Sequence, residues 1–175
     1  LRRLLRGTKI DLLQVPLIYP DEMFERLRML SAKPFFVFGH ILSPHQPNRY
    51  NKDCTRRENI DWEMNSGYLD PAIVAGFAVD TNCINKEVIE GIDHILAHDK
   101  SDPIIIIQSD HGSPLLEPDA ITNNLIAFAI LNTMRFPDGC GQQFYDSIST
   151  INTFRLVFSC IEKDPLPMLP DRHFD

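Results

Sequence analysis

At 175 residues and 43% hydrophobic composition, the chain is long enough for one ordinary domain with a real core and is neither disordered nor fibrous in composition. Its formal net charge of -7 argues against a nucleic-acid surface, which needs Lys and Arg clustered over one face. No apolar run approaches the roughly 20 residues of a membrane span, the longest being Ile104 to Ile107 and Leu125 to Leu131.

The opening Leu1-Arg2-Arg3-Leu4-Leu5-Arg6 lacks the apolar region and cleavage site of a signal peptide and reads as a solvated helix end or a boundary. Asp21 to Leu30 predicts a short helix, with Asp21 and Glu22 in its first turn and Phe24, Leu27 and Leu30 on one side. Pro34 to Phe38 is a short apolar run and predicts a core strand, which ends in Gly39-His40-Ile41-Leu42-Ser43-Pro44-His45-Gln46-Pro47. Residues 43–64 carry no periodicity and many Pro, Asn, Arg and Lys, the pattern of a long surface loop. Loops of that length in a compact domain are usually functional or mobile. The loop is therefore a candidate lid facing substrate, with Arg49, Lys52, Arg56 and Arg57 either contacting an anion or simply solvated.

Asp70-Pro71 has the form of an N-cap followed by Pro at the first helical position, and a helix is expected from there to about His98, with Val88, Ile92, Ile95 and Leu96 on its apolar face. His94 and His98 are four apart but fall off that face and read as solvent-facing. Ile104 to Ile107 predicts a second core strand, covered on both faces and too short for a free helix. Joined by the long helix, the two strands would form a right-handed parallel crossover unit. Leu125 to Leu131 is a third apolar run, a candidate strand, and residues 149–161 predict a closing amphipathic helix with Phe154, Val157 and Phe158 inward. Gly139-Cys140-Gly141 lacks a third Gly and a preceding strand, so it reads as a turn rather than a dinucleotide site.

The Ile104 strand stops at Gln108-Ser109-Asp110-His111-Gly112. In open α/β sheets the crevice beyond the carboxyl ends of strands is where ligands bind, and a carboxylate beside an imidazole suits Zn²⁺ or a similar divalent ion. Gly112 is assigned to a tight turn. If the Phe35 strand is a parallel neighbour, His40 and His45 open into the same crevice as Asp110 and His111. The competing reading makes His40 a core histidine bonded to backbone and leaves His45 without a chemical task. Cys54, Cys83, Cys140 and Cys160 form neither a zinc ribbon nor a dense disulfide framework, and Cys83 and Cys160 read as small hydrophobes in helices.

Ile-Ile-Ile-Ile-Gln-Ser-Asp-His-Gly at 104–112, Phe-Val-Phe-Gly-His-Ile-Leu-Ser-Pro-His-Gln-Pro at 36–47, Asn152-Thr153-Phe154-Arg155 and Leu169-Pro170-Asp171-Arg172 together resemble the alkaline phosphatase superfamily. The likeness is to its sulfatase-like hydrolases and transferases, and covers most of the chain from about residue 34. The resemblance implies an α/β fold with a mostly parallel sheet flanked by helices, this chain being an incomplete, carboxyl-terminal part of one catalytic domain. It implies a divalent metal, Zn²⁺ first with Ca²⁺ or Mn²⁺ as alternatives, held by Asp110 and His111. It also implies that His45 contacts the phosphate or sulfate of an ester substrate, with His40 as a second substrate-binding residue. Family members often carry transmembrane helices ahead of an extracytoplasmic catalytic domain, so the full-length protein is expected outside the cytoplasm or anchored to a membrane. The pattern departs in two places. Cys54-Thr55-Arg56-Arg57 does not meet the sulfatase nucleophile motif Cys-x-Pro-x-Arg, and the next histidine after the Asp-His-Gly is His173. The nucleophile and a further acidic ligand are therefore expected outside this chain, which alone should be nearly inactive. The alternative is a noncatalytic domain of the same fold that binds an anion or a partner protein.

Overall fold

The computed structural model describes residues 19–29, 36–60, 70–112, 126–140 and 144–172, and the chain divides into two compact units, Leu1–Ile95 and Leu96–Asp175. The expectations for Leu1 to Arg6, Pro34 and Phe35, the end of the 43–64 loop, Leu125 and His173 lie outside the described residues.

The first unit contains α1 (Pro20–Arg28) and most of α2 (Pro71–His98). In α1, Pro at the first position, Asp21 and Glu22 in the first turn and Arg26 and Arg28 in the last all suit the helix dipole. Asp70 caps α2 as expected, its Oδ1 accepting the Ala72 N–H at 2.8 Å. The buried stripe of α2 runs through Ile73, Gly76, Asp80, Cys83, Ile84 and Gly91, which is the three-and-four spacing of one helix face. This stripe lies one step round from the predicted face: Val88, Ile92 and Ile95 are half-buried and Leu96 is exposed. Two glycines make it a receiving surface, since a Cβ at Gly91 would lie 2.3 Å from the Phe24 ring and one at Gly76 would lie 1.7 Å from the Asn48 amide.

The core of this unit is small, formed by Tyr19, Tyr50, Cys83 and Ile84 with Cys54, Val79 and Val88 packed against it. Tyr50 comes from the segment read as a surface loop, and it is fully buried. That segment is tied down by a disulfide between Cys54 and Cys83, by a Tyr50 to Arg56 bridge and by Asp80. A second disulfide joins Cys140 to Cys160 in the other unit. Reading Cys83 and Cys160 as unpaired packing residues is thereby corrected: all four cysteines of the chain are bonded. Separations of 29 and 20 residues carry no spacing motif, so only the fold reveals the partners.

The expected α/β architecture is overturned. Among the described residues the sheet is two-stranded and antiparallel, β1 (Ile105–Gln108) pairing with β2 (Asn132–Arg135) in the register Ile105 with Arg135 through Gln108 with Asn132. It is accompanied by helices rather than embedded in a parallel array. Residues 36–38 form no strand, and Phe36 and Phe38 are 75% and 79% exposed. A short apolar run does not report its own conformation or burial, and here it lies at the surface without regular structure. Residues 126–128 make one helical turn instead of a strand. The isoleucines of β1 are half-buried, consistent with a strand paired on one edge.

α3 (Thr150–Glu162) closes the second unit. It buries Asn152, Thr153, Leu156 and Val157, while Phe154, expected inward, is 50% exposed and Phe158 half-buried. Polar groups explain the rotation. The Asn152 amide pairs with both backbone groups of Leu169, accepting its N–H and donating to its carbonyl at 2.9 Å each. Arg155 donates to the Pro167 carbonyl at 2.8 Å. Asp171 accepts the backbone N–H and hydroxyl of Ser149, the N-cap residue, at 2.8 and 2.5 Å, and the hydroxyl of Tyr145. The two terminal motifs singled out in the sequence thus serve each other.

The Ser149 and Tyr145 hydrogen bonds hold the Asp171 carboxyl down to about 2, against an ordinary 3.8. Because the folded value is the lower one, the stabilisation is full above the ordinary value and fades as pH falls from about 4 toward 2. Thermal melts across that window are expected to show an acid-dependent loss in the wild type that is smaller in Asp171→Asn; identical pH profiles would refute the assignment.

Candidate functional site

β1 delivers its polar residues as the sequence suggested. Beyond Gln108, Ser109 continues the pairing to Leu131, its N–H donating to the Leu131 carbonyl and its hydroxyl accepting the Leu131 N–H at 2.9 Å each. Gly112 N–H donates to the Ala127 carbonyl at 2.7 Å. Asp110 and His111 therefore project from a short bight pinned at both ends. Gly112 is needed for close approach rather than for a special turn, since a Cβ there would meet the Ile126 carbonyl oxygen at 1.9 Å.

Within the bight each side chain is oriented by one of its atoms, leaving the other outward. Asp110 Oδ1 accepts the His111 N–H at 3.0 Å. His111 Nδ1 lies 2.6 Å from the Gly112 carbonyl oxygen, which can only accept, so Nδ1 carries the proton and the neutral ring presents its lone pair at Nε2. Nε2 and Asp110 Oδ2 are 3.7 Å apart, and the two side chains are 58% and 83% exposed. Two ligands at about 2.0–2.2 Å from a tetrahedral ion stand roughly 3.4 Å from each other, so a small adjustment lets both reach one cation. An imidazole whose other nitrogen is held by a backbone carbonyl is also the usual arrangement of a metal-bound histidine. The donor set fits a divalent ion as a two-residue chelate. Among the described residues no group of three His, Cys, Asp or Glu forms a fuller cage.

His40 and His45 belong to the first unit, Asp110 and His111 to the second. His40 is exposed in the segment at 36–40, which has no regular secondary structure. His45 is exposed on its loop, with Nδ1 at 2.8 Å from the Gln46 carbonyl. By the same reasoning its neutral ring offers Nε2 outward. Its backbone N–H donates to the Leu42 carbonyl at 2.9 Å, and cis peptide bonds precede Pro44 and Pro47.

The arginines of this loop, read as either anion contacts or solvated charges, are engaged by the protein itself. Arg56 is paired with Asp21 at 2.5 Å and Glu22 at 3.6 Å and stacks over the Tyr19 ring at 3.8 Å. Arg57 Nε donates to the Tyr50 carbonyl at 2.9 Å. Arg49 is buried. An open cleft of about 510 Å³ is lined by Asn51, Thr55, Arg56, Arg57, Glu58 and Asn59, a mixed lining in which Arg56 is already neutralised.

Sequence reasoning missed Asp80. Its carboxylate is fully buried and accepts two consecutive backbone N–H groups, Arg49 to Oδ2 at 2.7 Å and Tyr50 to Oδ1 at 3.0 Å. Burial raises its pKa above the ordinary carboxylate value, while those two N–H donors and the nearby Arg57 and Arg49 pull it back. The available signal was an acidic residue on the buried stripe of a helix, where charge is rare unless paired. His94 is half-buried and His98 exposed. No helix among the described residues is long and apolar enough to cross a membrane. Comparison of the chain with protein-family models, curated proteins and solved structures finds no match.

Proposed function

We propose that Asp110 and His111 bind a divalent cation, Zn²⁺ foremost, in a metal-dependent hydrolase or transferase that acts on phosphate or sulfate esters. The observation that carries the reading is the paired orientation of Oδ2 and Nε2, 3.7 Å apart, each left outward because its partner atom is held by backbone. The likeness of residues 36–47 and 104–112 to sulfatase-like enzymes adds the substrate class. In a chain of net charge -7 a cation would also reverse the local field that otherwise repels an anionic ester. Bound there, the metal would polarise an ester oxygen. Separately, the likeness assigns His45 to contact with an anion: with Nδ1–H held by the Gln46 carbonyl, the ring donates to an anionic oxygen only when Nε2 carries a proton as well. No residue of this chain is assigned as nucleophile.

The pairing of all four cysteines supports an oxidising, extracytoplasmic setting, because such bonds are rare where glutathione keeps thiols reduced. Isothermal titration with Zn²⁺ and with Mn²⁺ tests the metal site. The wild-type chain is expected to bind, and Asp110→Ala and His111→Ala to lose at least about tenfold in affinity. Equal affinity in wild type and both variants would sink the reading.

A further inference from the structure

We propose that Arg49 and Asp80 are positioning residues for His45, forming an internal brace that runs from α2 to the main chain carrying the imidazole. The inference rests on the reading of His45 as the residue that meets the substrate anion. Arg49 is 2% exposed, so its guanidinium faces the protein interior and is withdrawn from external ions. Its Nη1 donates to the His45 carbonyl at 2.7 Å and to the Ser43 hydroxyl at 3.3 Å. The backbone of the same residue is fixed by Asp80, whose two oxygens hold the N–H groups of Arg49 and Tyr50. A line of hydrogen bonds thus connects a rigid helix to residues 49–50, and from there to residue 45. At its far end the Gln46 carbonyl sets the ring nitrogen that carries the proton.

Burying a guanidinium is costly unless its donors are satisfied, and an arginine that merely filled space here could be replaced by an aliphatic side chain at lower cost. Both bonds leave Nη1, whose two N–H bonds are fixed in the guanidinium plane, whereas the ammonium of a lysine rotates freely about its stem. The two acceptors are residues 43 and 45, on either side of the first proline of a segment otherwise lacking regular structure. The brace leaves the His45 side chain exposed while its main chain is held, which is what a residue awaiting an external anion requires.

The test uses the full chain with ¹⁵N-labelled histidine, followed by NMR during titration with inorganic phosphate and, separately, sulfate. Wild-type His45 is expected to show the signature of protonated Nδ1 and a saturable shift with the anion. Arg49→Lys, which keeps the charge but loses the fixed directions of the Nη1 donors, is expected to broaden or split the His45 signals and weaken its response by about tenfold, the scale seen when groups that orient a ligand-binding histidine are removed. His111 should be unaffected. Ser43→Ala removes one acceptor only and should give the same change in smaller measure, so the proposal stays decidable if Arg49→Lys fails to fold. His45 signals and anion response that are unchanged in the folded variants overturn the brace. A wild-type His45 blind to both anions instead overturns the functional reading, while the effect of Arg49→Lys on the ring and backbone signals still decides the positioning claim.

Discussion

Asp80→Ala is expected to lower the unfolding free energy by roughly 2–6 kcal/mol, because it orphans two buried N–H groups at about 1–3 kcal/mol each. The two donors are those of Arg49 and Tyr50, and the carboxylate that receives them is fully buried. Set against a typical domain stability of about 5–15 kcal/mol, the loss is large. Asp80→Asn is informative because it is nearly isosteric: one amide oxygen can still accept, but the NH₂ group faces an N–H donor, so most of the penalty should remain. Urea unfolding followed by far-UV circular dichroism measures both variants. A midpoint shift below that of an ordinary surface substitution in Asp80→Ala would show that the carboxylate does not anchor the loop.

Removing the Cys54–Cys83 disulfide is expected to cost about 3–4 kcal/mol, the chain-entropy value for a loop of its length, given a separation of 29 residues. The suitable variant is Cys54→Ser with Cys83→Ala. Cys54 has φ of 64°, where a small polar residue is less strained than a bulky one, whereas position 83 is buried among Tyr19, Tyr50 and Ile84 and should stay apolar. Cys83 and Asp80 lie one turn apart on the same face of α2 and hold the same loop. Their effects should therefore be coupled rather than additive: with the disulfide intact, a loop released by Asp80→Ala remains tethered beside its docking face. A double-mutant cycle should give an interaction energy of at least about 0.5 kcal/mol, and strict additivity would indicate that the two restraints act on different segments. Equilibrium unfolding in urea, with and without reductant, reads both quantities.

How much of this was legible in the sequence depended on whether the signal was local. The helices were, because a cap such as Asp70, a proline at the first position, the acidic first turn of α1 and three-and-four spacing are written in neighbouring residues. The position of β1 and the polar bight after it were also local, and Asp110 and His111 stand where the end of an isoleucine run puts them. The partner of β1 was not. It pairs with Asn132–Arg135, a stretch with a single apolar residue, Met134, while the more apolar Phe36-Val37-Phe38 lies exposed. Hydrophobicity marks what can be buried, not what is paired, and the expectation of a parallel crossover followed from treating the two as equivalent. The loop after residue 43 misled for a related reason. Its lack of periodicity is real, but order there comes from side chains far away in sequence, Asp80 and Cys83, acting on its backbone. The same holds for α3, whose buried face was chosen by Asn152 and its contacts with Leu169 rather than by Phe154.

The dependence of α3 on Asp171 has a bearing on biosynthesis. A carboxylate 22 residues downstream of Ser149 receives the amino end of that helix, so during translation the helix is made well before its acceptor is. A ribosome-bound nascent chain whose α3 has emerged while residue 171 is still inside the exit tunnel would carry the helix with its first turn fraying, and would gain its finished start only when residue 171 has emerged.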